Sequence, residues 1–98
     1  MLFIHQDDIQ PEFLHLRLSV DEIESLELAG LAKANAVPAV PFGYMNAEWL
    51  EFQALAQDGD EFWSYGSPQK QWSACRGSAG YVLLREGRVV ATLITALS

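Results

Sequence analysis

The sequence predicts an α+β chain, an antiparallel β-meander of about three to five strands with two to four helices packed on one face. Three observations carry this. The last forty residues hold alternating and β-branched runs separated by turn residues, ending in Tyr81–Leu84 and Arg88–Leu97 around a glycine at position 87. The middle of the chain holds helix starts and apolar residues at helical spacing. With 98 residues there is room for one domain, 1–98, and one core.

Leu2–His5 reads as an edge strand or arm, ended by Asp7, Asp8 and Pro11. From Phe13 to Leu18 the pattern alternates, with Leu14, Leu16 and Leu18 expected on one side and His15 and Arg17 on the other. Ser19 and Glu22 have capping-box spacing, and Asp21, Glu22 and Glu24 suit the positive end of a helix dipole. Ile23, Leu26 and Leu28 are expected to form that helix's apolar side, with Gly30 as its stop and Leu31–Ala36 as a further short helix. Pro38 and Pro41 predict an extended linker through Val40 and Phe42.

Asn46 is the expected N-cap of a helix over Ala47–Gln57, with Trp49, Leu50, Ala54 and Leu55 as its packing stripe and Asp58-Gly59 closing it. Glu61–Tyr65 alternates again, Trp63 and Tyr65 on one side, Phe62 and Ser64 on the other. Pro68 stands at the favoured first position of a short helix running to Arg76, and Gly77 and Gly80 bracket the exit.

The final hairpin admits two turns. A two-residue type I′ turn would place Glu86 at positive φ and oppose Arg85 to Arg88. A three-residue loop with left-handed Gly87 avoids both, and pairs Leu83 with Val89 and Tyr81 with Ala91. That register puts Tyr81, Leu83, Val89, Ala91, Leu93 and Leu97 on one face, and Val82, Leu84, Val90, Thr92 and Ile94 on the other. Both faces are apolar, and covering the second is the main reason to expect a homo-oligomer, most simply a dimer.

The formal charge is −7, from 13 acidic and 6 basic residues. That balance argues against a nucleic-acid reader and against docking on anionic lipid, and leaves a basic protein or a small molecule as further partners. One cysteine cannot form an internal disulfide. The opening residues show no leader pattern and no apolar run reaches membrane-helix length, so a soluble cytoplasmic protein is expected.

The runs GDEFWSYGSPQKQW and RGSAGYVLLREGRVVATLIT resemble a group of small bacterial hypothetical proteins, some of the integron gene-cassette type. The resemblance covers Gly59–Thr95. This chain departs in placing Phe62 before Trp63, in the extra Gly66, and in the order Arg76-Gly77. The resemblance implies a fold neighbourhood and no reaction.

Candidate chemistry is sparse. Cys75 has Arg76 beside it, which lowers a thiol pKa, but the histidines that could serve as its base lie far off in the chain; a small buried residue is the simpler reading. His5, Asp7, Asp8 and His15 lack metal-ligand spacing, and no cofactor or metal is expected. Asp58, Asp60 and Glu61 straddle a turn where such residues serve the backbone. The leading ligand-binding set is Trp63, Tyr65, Trp72, Arg76 and Tyr81, an aromatic group that could equally be core or subunit contact. The expectation is a non-enzymatic, homo-oligomeric interaction or small-ligand-binding protein with no catalytic residue assigned. The alternatives are a small enzyme using Trp63, Trp72 and Arg76 with an acid from Asp60 or Glu61, and an acidic inhibitor or immunity-type protein that caps a basic partner.

Overall fold

A computed structural model describes residues 11–31, 40–75 and 77–97. The strands are β1 (Leu14–Leu18), β2 (Glu61–Gly66), β3 (Ser78–Arg85) and β4 (Arg88–Leu97). They form one antiparallel sheet in the order β1-β2-β3-β4. Helices α1 (Val20–Leu31) and α2 (Asn46–Ala54) lie between β1 and β2 in the chain, and the short α3 (Gln69–Ser73) lies between β2 and β3. The α+β reading and its meander are what the structure shows. Leu2–His5, Asp7, Asp8, Pro38 and Arg76 lie outside the described residues, as does the second short helix beyond Leu31.

The core lies between α1, α2 and one face of the sheet. Ile23 from α1, Trp49 and Phe52 from α2, and Phe62, Leu83 and Leu93 from the sheet are buried there. Phe42 stacks on Trp49 with ring centroids 4.8 Å apart, and meets Tyr81 edge-on at 5.7 Å.

α1 begins with the capping box as read. The Ser19 amide donates to Glu22 Oε1 at 2.8 Å, and the Glu22 amide donates to Ser19 Oγ at 3.1 Å. Of the inner face expected for it, Ile23 is buried and the two leucines are not. Val20 and Ile23 pack inward, while Leu26 and Leu28 are exposed and the helix runs through Gly30. Two carboxylates take the inner positions. Glu24 Oε2 accepts from Trp49 Nε1 at 2.8 Å, and Glu27 Oε2 accepts from Tyr81 Oη at 2.6 Å. Positions 20, 23, 24 and 27 share one side of a helix, and buried aromatic N–H and O–H groups need acceptors there.

Val40–Phe42 is a turn, not an extended linker. Phe42 takes a left-handed backbone (φ 67) that sends its ring into the core, and one 3-10 turn, Gly43–Met45, leads straight into α2. Asn46 is therefore not the N-cap. It is the first residue of α2, and its Nδ2 donates back to the Pro41 carbonyl at 2.9 Å. The inner residues of α2 are Trp49 and Phe52, continued inward by Met45 just before it and Ala56 just after it. Leu50, Ala54 and Leu55 point to solvent, and α2 ends at Ala54, ahead of the expected Gln57. Pro68 is likewise the N-cap of α3, one position earlier than expected.

Bulges decide which way the sheet's side chains face. Leu14 pairs with Tyr65 and Arg17 with Trp63, so β1 takes three steps where β2 takes two. Leu14 then packs with Tyr65, and Leu18 packs on the opposite side against the main core. The leucines of β1 therefore do not share one face.

The hairpin uses the turn that the sequence disfavoured. Arg85 pairs with Arg88 and Leu84 with Val89, with Glu86 at φ 53 and Gly87 at φ 79, the signs of a type I′ turn. The opposition of two arginines is relieved because Arg85 is turned to Asp60, with Nε to Oδ1 at 3.0 Å and Nη2 to Oδ2 at 2.8 Å. Leu83 pairs with Ala91, so Val90 is an extra residue on β4. Val89 and Val90 accordingly exchange the faces expected of them: Val90 packs on the main core, and Val89 joins Tyr65, Val82 and Leu84 behind the sheet. A second bulge lies at Thr95, and register places Leu97 opposite Ser78, on that rear face. At Gly80 the backbones of β3 and β4 approach so closely that any Cβ would strike the Leu93 carbonyl.

The rear face carries Tyr65, Val82, Leu84, Thr92 and Ile94, all buried within the single chain. Their burial does not by itself require a second copy, and Leu97 on the same face is exposed. Among the described residues no helix is long and apolar enough to cross a membrane.

Candidate functional site

The aromatic set read from the sequence is divided by the sheet. Trp63 and Tyr65 alternate with Phe62 along β2 and lie behind it, Tyr65 buried and Trp63 partly so. Tyr81 lies on the helix side, in the main core, its hydroxyl on Glu27. Trp72 is anchored elsewhere. Its ring packs on Gly77, where a Cβ would collide with the indole, and its Nε1 donates to the Ser67 carbonyl at 2.9 Å. Tyr65 Oη donates to Ser78 Oγ at 3.1 Å, and Ser67 Oγ takes the Ser78 amide at 3.0 Å. Burial raises the Tyr65 phenol pKa, against a smaller opposing effect of Ser78. Burial also raises that of Tyr81, and the hydrogen bond to the Glu27 carboxylate adds to it. These bonds tie α3 to the sheet and α1 to the core.

The acids of the enzyme alternative are held by neighbours. Asp60, whose side chain is only 2 % exposed, is gripped by Arg85 and also accepts the Gln57 amide at 2.8 Å. The Arg85 hydrogen bonds hold its carboxyl below the usual aspartate range. Glu61 Oε1 accepts from Trp63 Nε1 at 2.9 Å, and its Oε2 lies 3.7 Å from Arg17. Cys75 is exposed, with its backbone at φ 59, and is not the buried residue expected. Among the described residues no group of three His, Cys, Asp or Glu side chains is placed to hold a metal ion. His5, Asp7 and Asp8 are outside those residues, and His15 is exposed beside Gly66.

Two concavities flank β1. A polar cleft of about 360 Å³ is formed by Arg17, Ser19, Glu22, Asp60 and Glu61 with Leu18 and Phe62. Its polar groups largely satisfy one another: Glu22 caps α1, and Asp60 and Glu61 have the partners already given. A second, apolar groove of about 470 Å³ runs between β1 and α1, lined by Leu16, Leu18, Asp21, Glu22, Ser25 and Leu26. Leu16 is 61 % exposed and Leu26 53 %. The strand bulge aims Leu16 at this groove, and the Leu16 amide donates to Ser64 Oγ at 3.1 Å. The groove was not anticipated, because both leucines read as interior from spacing alone. No family model, curated protein or solved structure matches the chain.

Proposed function

We propose that the chain is a non-enzymatic interaction module that binds a protein partner along the β1–α1 groove. The observation that carries it is the pair Leu16 and Leu26, exposed together in one concavity beside β1, which is an edge strand among the described residues. Single exposed leucines are ordinary on protein surfaces; leucines converging on one groove are the mark of a contact site. The engagement of Asp60, Glu61, Glu24 and Glu27 in bonds that hold the fold supports a binding role over the enzyme alternative. The expected homo-oligomer, most simply a dimer, is the competing occupant of this groove. A cytoplasmic setting, and a place among small bacterial proteins of the gene-cassette type on the Gly59–Thr95 pattern, belong to the same proposal.

The charge layout favours a second reading, the acidic cap for a basic partner. α1 carries Asp21, Glu22, Glu24 and Glu27, α2 carries Glu48 and Glu51, and neither helix has a lysine or arginine.

The test is the double variant Leu16→Ser, Leu26→Ser. Contact leucines leave the melting temperature within about 2 °C, since exposed positions contribute little to stability. Sedimentation velocity of wild type should show association, with itself or with the basic probe described below, that the variant lacks. A large fall in melting temperature, or association equal to wild type, would refute the reading.

A further inference from the structure

Building on the groove reading, we infer that its occupant is an extended segment of a different protein, basic and with alternating apolar side chains, added beside β1. β1 is the first strand of the sheet order, and among the described residues no strand pairs along its outer side. Leu16, within the bulge, and Leu18, after it, are two positions apart and both line the groove. That period matches the alternate side chains of an added strand, whose backbone bonds to the edge while its apolar side chains fill the concavity.

Charge selects the partner. The α1 wall of the groove presents Asp21 and Glu22, and no base lines it. Arg17, the basic residue nearest in sequence, is turned toward Glu61, 3.7 Å away. Glu22 accepts the Ser19 amide but keeps its negative charge, and with Asp21 it makes the wall acidic toward the occupant. A second copy would bring an identical acidic wall, and with a formal charge of −7 on each chain the approach is repulsive. Lysine or arginine side chains alternating with apolar ones satisfy both the wall and the floor.

The probe is an octapeptide of alternating Lys and Leu, titrated into isotopically labelled protein and compared with its Glu–Leu counterpart. Amide shifts should concentrate at Leu16–Leu18 and Asp21–Leu26. Affinity should fall about tenfold or more between roughly 50 mM and 300 mM salt. Leu26→Ser should weaken binding about tenfold, Asp21→Asn should weaken it mainly at low salt, and Leu50→Ser, on α2, should leave it unchanged. The inference is overturned if the Glu–Leu peptide binds as well, if the shifts fall elsewhere, or if the Lys–Leu peptide does not bind. Self-association that protects the same amides would make a second copy the occupant and overturn the inference while preserving the module. Absence of both peptide binding and self-association at the groove overturns both.

Discussion

Replacing Glu86 by asparagine should stabilise the protein, because Glu86 sits at φ 53, where an L-residue without a local hydrogen-bonding side chain is strained. A left-handed residue costs about 1–2 kcal/mol, and asparagine tolerates that region better, recovering roughly 0.5–1 kcal/mol. For a chain of this size the gain corresponds to about 3–6 °C in melting temperature. Glu86→Gln removes the charge and keeps the backbone preference, so it separates the strain from the loss of attraction between Glu86 and Arg85. The assay is thermal unfolding followed by tryptophan fluorescence, with cross-strand nuclear Overhauser contacts between Leu84 and Val89 as the register check. In a three-residue loop Glu86 would take a negative φ, asparagine and glutamine would melt alike, and the contact would join Leu83 to Val89. That result would refute the two-residue turn.

Thr92 is 1 % exposed and its hydroxyl has no hydrogen-bond partner, so Thr92→Val should stabilise by about 1 kcal/mol in urea unfolding; destabilisation would show that the hydroxyl serves a partner. Asp60 titrates below its ordinary value of 3.8 because Arg85 favours its charged form, so its contribution is present above that value and is lost as pH falls through the folded one. The urea midpoints of wild type and Asp60→Asn should therefore converge as pH drops from about 5 to about 2, and a gap constant across that window would contradict the assignment. The Tyr81 phenol is raised, so its contribution is complete below the ordinary value of 10.0 and is lost as pH rises above it, when the unfolded chain ionises first. Tyr81→Phe should be less stable at neutral pH, with Glu27 deprived of its donor, yet lose less on going to alkaline pH, with Tyr65 supplying the remainder. An unchanged alkaline slope would show that Tyr81 ionises freely in the fold.

The alternation of β2, the capping box and the meander are legible because each rests on neighbours in the chain. Ser19 and Glu22 need only one another. Phe62 and Tyr65 fall on opposite faces of β2 because no bulge intervenes between them. The hairpin departs from its local rule, the avoidance of positive φ at Glu86, because that rule loses to contacts distant in sequence. Asp60 draws Arg85 away from Arg88, and the bulge at Val90 lets Val89 and Val90 pack on opposite faces. A turn cost of about 1–2 kcal/mol is comparable to burying a single valine, so either can decide the register. Period alone cannot locate a bulge, because one extra residue reverses every side chain that follows.

The same limit governs the site. Pattern counts carboxylates as outward and leucines as inward, and on that count α1 would turn Ile23 and Leu26 to the core together. Trp49 Nε1 and Tyr81 Oη reverse the count. As buried donors they need acceptors, and Glu24 and Glu27 supply them from α1. Seating positions 20, 23, 24 and 27 against the core fixes the rotation of the helix, and that rotation leaves Leu26 at the rim above β1, where the bulge has turned Leu16. The groove thus follows from two polar contacts and one extra strand residue. If α1 is held in this rotation by its carboxylates, Glu24→Leu with Glu27→Leu should let the helix turn, bury Leu26 and close the groove. Protection of Leu26 from solvent in the folded double variant would establish the link, and a Leu26 as exposed as in wild type would break it.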